Sequence, residues 1–209
     1  MQGFFISFEG VEGSGKSTQV GLLAGRLRED GKEIVVTREP GGTRIGELIR
    51  EITHAKDNVD LTGVSETYLM SASRAQHVRE IIRPALSIGK IVICDRFIDS
   101  SLAYQGYGRE LGEKAIEELN KLALDSIMPD LTILLDVEPQ VGFARRNHTD
   151  KIDRLDLQKE DFYNRVYAGY HEIAKKFKDR FFIVDTNKPI NEVADIIWEK
   201  IISKIKNKI

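Results

Sequence analysis

The residues Gly10-Val11-Glu12-Gly13-Ser14-Gly15-Lys16-Ser17 satisfy the pattern G-x-x-x-x-G-K-[ST], and their types define an anion site. Glycines carry no Cβ, so successive backbone N–H groups can turn inward and line a concavity. Lys16 adds a mobile positive charge suited to the β- and γ-phosphates of a nucleotide. The hydroxyl of Ser17, ahead of Thr18, can ligate Mg²⁺. Other reactive types lie far away in sequence: Arg38-Glu39-Pro40-Gly41-Gly42-Thr43, Asp95-Arg96-Phe97, Asp136, and the group Arg145, Arg146, Lys151 and Arg154. Taken singly, Pro-Gly-Gly is ordinary turn chemistry, Asp95 and Arg96 can form a structural ion pair, and a basic run can be a solvated loop. Gathered in one place, they suit phosphoryl transfer. There the protein's work is to align two phosphates, surround the moving group with positive charge and exclude water.

Such a gathering needs a scaffold, and the hydrophobic pattern supplies one. Phe4–Phe8 reads as a strand running into the glycine loop. Ser17–Arg28, with apolar Val20, Leu22, Leu23 and Leu27, reads as a helix whose amino end faces the loop. Four more short apolar runs, Glu33–Thr37, Ile91–Asp95, Leu131–Val137 and Phe181–Asp185, resemble strands covered on both faces. Helical patterns over Glu47–Thr53, Ser65–Ile88, Glu113–Ser126, Val141–Arg146, Lys159–Lys176 and Ile190–Lys208 separate them, with Pro84 predicting a kink or break at Arg83. The alternation predicts an α/β fold with a five-stranded parallel sheet flanked by helices. Ligands of such sheets collect beyond the carboxyl ends of the strands. Glu39, Asp95, Arg96 and Asp136 all fall there. The polar, unpatterned stretch Arg145–Asp156 is a candidate lid.

Composition narrows the reading. A chain of 209 residues suits one domain, and a formal charge of −2 without a basic tail argues against a nucleic-acid-coating surface. No apolar run is long enough for a bilayer, and Met1–Gly10 lacks a signal-peptide layout. A lone Cys94 permits no disulfide within the chain, and a cytoplasmic location is the expectation.

The motifs together resemble the thymidylate kinase family along nearly the whole chain. The matching segments are Phe8–Thr18, Arg38–Thr43, Ala72-Ser73-Arg74-Ala75-Gln76-His77, Asp95–Gly106 and Asp153-Arg154-Leu155-Asp156, followed by Phe162 and Tyr170. The resemblance implies a P-loop kinase with a helical lid over roughly 143–156, converting dTMP to dTDP with ATP and Mg²⁺ and acting as a homodimer. It implies that Gly10–Thr18 hold ATP and that Ser17 and Asp95 serve the metal. Lys16, Arg96, Arg145 and Arg154 would be catalytic, with Arg146 a further contributor. Arg96 and Arg50 would grip the acceptor phosphate, and Glu12 would meet the sugar 3′-hydroxyl. Arg74, Ser101 and Gln105 would read the base, Tyr104 would border the sugar, and Glu39 and Pro40 would shape the floor. Met70 stands where the family usually places a phenylalanine against the thymine. The phosphate loop carries no arginine, which sorts the chain with members whose catalytic arginines are in the lid. A kinase for another pyrimidine monophosphate is the nearer alternative. A G-protein-type switch would need Asn-Lys-x-Asp, and Asn187-Lys188-Pro189 lacks the aspartate.

Overall fold

The computed structural model describes residues 3–146 and 154–208. Five strands, β1 (Phe4–Glu9), β2 (Ile34–Arg38), β3 (Ile91–Asp95), β4 (Leu131–Asp136) and β5 (Phe181–Asp185), form one parallel sheet in the order β2-β3-β1-β4-β5. The central β1 is buried at all six residues, and its alternate side chains supply two cores. Phe4, Ile6 and Phe8 pack with Val20, Leu23 and Leu27 of α1 (Lys16–Glu29) and with Val193, Ile197, Ile201 and Ile205 of the carboxyl-terminal helix. Phe5 faces the other way, into a core with Val78, Ile82, Val92, Phe97, Val166 and Tyr170. Each fully buried aliphatic or phenyl side chain contributes about 1.5–3 kcal/mol, so the sheet is a stiff platform for its carboxyl ends.

The other helices are α2 (Arg44–His54), α3 (Gly63–His77), α4 (Arg83–Ser87), α5 (Ile98–Ser101), α6 (Glu113–Leu124), α7 (Pro139–Arg146), α8 (Glu160–Lys176) and α9 (Ile190–Lys208). Two connections are wide π-helical turns. Between α3 and α4, residues Val78–Ile82 keep helical backbone angles and the Arg83 N–H reaches back five residues to the Val78 carbonyl. Pro84 therefore widens the helix where a kink or break is expected from sequence; the missing N–H is absorbed by the longer hydrogen-bond loop. After α5 the segment Leu102–Gly108 is also π-helical, closed by an Arg109 N–H to Tyr104 carbonyl bond of 2.8 Å. Apolar periodicity predicts no helix over 98–108, because the run is short and begins inside a polar motif.

Register brings the chemistry to one edge. Asp95 at the end of β3 is level with Phe8 of β1 and Arg38 of β2, while Glu9 is level with Leu134 of β4. Beyond that line sit the glycine loop and the amino end of α1, whose first N–H groups have no side-chain cap from Gly15. Among the described residues, no helix is long and apolar enough to cross a membrane.

Candidate active site

The carboxyl ends of β1, β2 and β3 open into a cavity of about 830 Å³. Its walls include Glu12, Gly13, Gly15, Lys16, Ser17 and Thr18 from the glycine loop and α1. Glu39 and Pro40 come from the loop after β2, Arg50 from α2, Met70 and Arg74 from α3, and Asp95, Arg96, Ser101, Tyr104 and Gln105 from β3 onward. Arg145 enters from α7. All of these belong to the motifs and site residues singled out from sequence, and Gly10, Val11 and Ser14 form the loop's buried underside. Arg38, His54, Phe97, Ser100 and Leu155 also line the cavity without having been given a role from sequence.

Lys16 folds back into its own loop, its Nζ donating to the carbonyls of Gly10 at 3.0 Å and Val11 at 2.9 Å. Burial and the neighbouring Arg96 charge push its ammonium down to about 8, against the pull of Glu12 and Asp95. Ser17 Oγ donates to Asp95 Oδ2 at 2.9 Å. These are hard oxygen donors, as Mg²⁺ prefers, and Mg²⁺ usually takes few protein ligands alongside water and phosphate. Among the described residues there is no cluster of three or more His, Cys, Asp or Glu arranged for a metal. Ser17 and Asp95 therefore fit a magnesium ion completed by nucleotide oxygens and water.

Arg96 occupies the centre. Its backbone is left-handed at φ 72°, a conformation costing about 1–3 kcal/mol for a non-glycine residue and concentrated at functional sites. The turn is held by Arg96 N–H to the Phe8 carbonyl at 2.9 Å and Phe97 N–H to Glu9 Oε1 at 2.8 Å. The guanidinium donates from Nη1 to the Gly10 carbonyl at 3.0 Å and to Ser100 Oγ at 3.1 Å, and from Nη2 to Glu12 Oε1 at 2.5 Å and Tyr104 OH at 3.2 Å. Behind it Glu9 accepts from Ser100 Oγ at 2.5 Å and Tyr170 OH at 3.0 Å. Burial, then repulsion from Asp99, raises the Glu9 carboxyl to about 7 despite those bonds. Glu9 and Tyr170 were given no role from sequence. A carboxylate ending a mostly apolar strand is the available signal.

The far wall is polar and buried. Arg74, 2% exposed, donates from Nε to Glu39 Oε2 at 2.8 Å, from Nη1 to Asn120 Oδ1 at 2.5 Å and from Nη2 to Ser101 Oγ at 3.1 Å. The Glu39–Pro40 peptide is cis, and Arg50 Nη1 donates to the Pro40 carbonyl at 3.2 Å. Gln105 Nε2 donates to Glu66 Oε1 at 2.7 Å.

The two arginines expected in a lid separate. Arg145 is exposed, lines the cavity and donates to Asn187 Oδ1 at 3.4 Å. Arg154 is 3% exposed and does not line the cavity. It pairs with Glu66 through Nη2, while its Nε donates to the Thr53 carbonyl at 3.0 Å. Reaching a phosphate in the cavity would require it to leave that carboxylate. Burial pushes Glu66 up, but Arg109, Arg154 and Gln105 together outweigh it and hold the carboxyl below its usual range. Residues 147–153, including Lys151 and Asp153 of the lid reading, lie outside the described residues, as does the Arg146 side chain.

Gly142 in α7 was also missed. A Cβ there would come 2.2 Å from the Glu12 carbonyl, and one on Gly13 would come 1.9 Å from the Gly142 carbonyl. Helix α7 thus touches the glycine loop backbone to backbone. A second cavity of about 310 Å³ lies beside this contact, lined by Gly15, Arg145, Thr186, Lys188 and Pro189.

A parallel sheet whose central strand feeds a glycine–lysine loop, with arginines converging on that loop, defines a P-loop kinase. The thymidylate kinase family model matches residues 8–197. A thymidylate kinase of Thermomicrobium roseum is 49% identical over 204 residues, covering 97% of this chain and 96% of the relative. One from Geobacillus thermodenitrificans is 42% identical over 208 residues, covering 99% and 92%. The crystal structure of thymidylate kinase from Ehrlichia chaffeensis superposes with a TM-score of 0.78 at 37% identity, covering 96% of this chain and 99% of that one. The chain belongs to the thymidylate kinase family.

Proposed function

We propose that this chain transfers the γ-phosphoryl group of ATP to dTMP, giving ADP and dTDP, with Mg²⁺ as cofactor. The observation carrying this reading is that Arg96 is bonded to the phosphate loop itself, through the Gly10 carbonyl at 3.0 Å and Glu12 at 2.5 Å. A group suited to an acceptor phosphate and a loop suited to a donor phosphate are thus one rigid unit, which favours in-line transfer between two bound nucleotides.

Lys16 and the loop amides hold the β/γ-phosphates. Arg96 and Arg50 grip the acceptor phosphate, bidentate geometry suiting the guanidinium. Arg145 faces the transferring group from the lid base, and Arg154 joins it from the lid's far end. Arg74, Ser101 and Gln105 read the base, Met70 and Tyr104 cover base and sugar, and Glu12 meets the 3′-hydroxyl. Ser17 and Asp95 hold the metal, which supplies charge neutralisation on the phosphates when bound. No general base is required, because the attacking phosphate oxygen is already ionised. The smaller cavity suits adenine.

The 209 residues form a single domain with a lid over roughly 143–156, in a cytoplasmic protein. Exposed Ile45, Leu48 and Ile52 on α2 and Val64 and Tyr68 on α3 support a homodimer through these packed helices, testable by light scattering at micromolar concentration. The function is tested with a panel of monophosphates in a coupled ADP-release assay. dTMP is the preferred acceptor, and comparable rates with dUMP or dCMP would transfer the assignment to a broader pyrimidine kinase.

A further inference from the structure

Helix α3 carries a buried stripe in which Glu66, Met70, Arg74 and His77 recur at helical spacing, Met70 and Arg74 reaching the cavity. The proposed function uses Met70 and Arg74. It leaves the imidazole of His77, which has no exposed surface, without a part. A buried imidazole is costly unless its nitrogens are bonded, and here both are. Nδ1 lies 2.9 Å from Glu39 Oε1, and Nε2 lies 2.6 Å from Thr37 Oγ1. The other oxygen of Glu39 accepts from Arg74 Nε at 2.8 Å. A hydrogen-bonded chain Thr37–His77–Glu39–Arg74 therefore runs from the end of β2 to the cavity wall. Glu39, paired with Arg74, is a carboxylate and only accepts, so Nδ1 carries a proton; in the neutral ring Nε2 then accepts from the Thr37 hydroxyl.

The loop after β2 closes over this chain. Gly42 has φ 76°, and a Cβ there would come 2.6 Å from Thr37 Oγ1 and 2.9 Å from His77 Nε2. One turn earlier on α3, Ser73 Oγ accepts from the Gly41 N–H at 3.2 Å. The loop is thus bonded to α3 at Ser73 and packed closely against it at His77, on either side of Arg74.

We propose that His77 is a positioning residue for base selection: it sets the Glu39 carboxylate, which fixes the plane of the Arg74 guanidinium. This rests on the dTMP reading above. The last torsion of a glutamate is soft, so a carboxylate held by one partner can rotate and carry that partner with it. With His77 on one oxygen and Arg74 on the other, the rotation is blocked, as outer partners fix the orientation of metal ligands. Base selection needs that rigidity. A guanidinium N–H aimed at the pyrimidine 4-position donates to thymine's carbonyl and finds no acceptor in cytosine's amino group, but only while it stays aimed.

The experiment compares His77→Gln, His77→Asn and Thr37→Val by steady-state kinetics with dTMP and dCMP at saturating ATP, alongside thermal melts. The Asn amide nitrogen falls near Nδ1 and still donates to Glu39. The Gln terminus falls near Nε2 and keeps Thr37 while giving up Glu39. His77→Gln is expected to raise KM for dTMP about tenfold, leave kcat within about twofold and lower the dTMP-over-dCMP ratio of kcat/KM about tenfold. His77→Asn keeps most of that ratio, and shape-conserving Thr37→Val lowers it about threefold. If the histidine variants fail to fold, Thr37→Val alone decides. Unchanged KM and base ratio in the folded variants, whatever their melting temperatures, overturns the proposal while leaving the kinase assignment intact. An unsubstituted protein inactive on dTMP overturns both.

Discussion

Lys16 should take up a proton when a nucleotide triphosphate binds, and the size of that uptake is set by its surroundings. Burial and Arg96 bring its ammonium to about 8, from the ordinary 10.5. At pH 8.5 about three-quarters of these lysines are therefore neutral in the free protein, against about one-tenth at pH 7. Phosphates placed against the loop add opposite charge and favour the ammonium, restoring it to its usual range or above. Binding should then absorb about 0.7 proton at pH 8.5. Glu9, near 7, is already ionised at that pH and does not interfere. Burial and the nearby carboxylates hold the Cys94 thiol well above its usual range, so it stays protonated. Isothermal titration of a non-hydrolysable ATP analogue in buffers of differing ionisation enthalpy reads the uptake as a slope. A slope near zero at pH 8.5, with binding intact, would refute the placement of Lys16 against the phosphates.

Glu66→Gln strands Arg109 and Arg154 beside a neutral amide, so urea denaturation should show a loss of about 3 kcal/mol at neutral pH. Because Glu66 is held below the usual 4.5, its contribution is full above that pH and lost as pH falls, and the variant should have a flatter acid limb. Gly142→Ala pushes α7 off the Glu12 carbonyl, so turnover should fall at least about tenfold while dTMP affinity measured by calorimetry changes little; unchanged turnover would dissociate α7 from catalysis. Arg154→Ala should lower turnover far more than dTMP binding, and turnover equal to that of the unsubstituted chain would confine Arg154 to the Glu66 network.

Much of the fold was readable because its strands are buried on both faces. Phe4–Glu9 and Ile91–Asp95 are apolar runs with few alternatives, and the glycine loop after the first of them dictates that a helix comes next. The π-helical turns at Val78–Ile82 and Leu102–Gly108 were not readable, since no apolar period marks a bond to the fifth residue back. Within the site, residues carrying a motif were nominated, and the structure gathers nearly all of them around one cavity. What sequence hides is which polar side chains are buried. In α3, Glu66 and His77 look like solvent-facing residues of an ordinary helix, yet neither has exposed surface. Their meaning lies in partners far along the chain: Thr37 and Glu39 for one, Arg109 and Arg154 for the other. Arg154 shows the limit from the other side, a motif residue whose match points to the phosphates and whose side chain lies against Glu66.

A single cavity that couples a donor phosphate to an acceptor phosphate is tested by product stoichiometry, measured by anion-exchange chromatography. With Mg²⁺, ATP and dTMP, one dTDP is expected for every ADP, and negligible ADP when dTMP is omitted. ADP formation at the same rate without dTMP, or without matching dTDP, would contradict it.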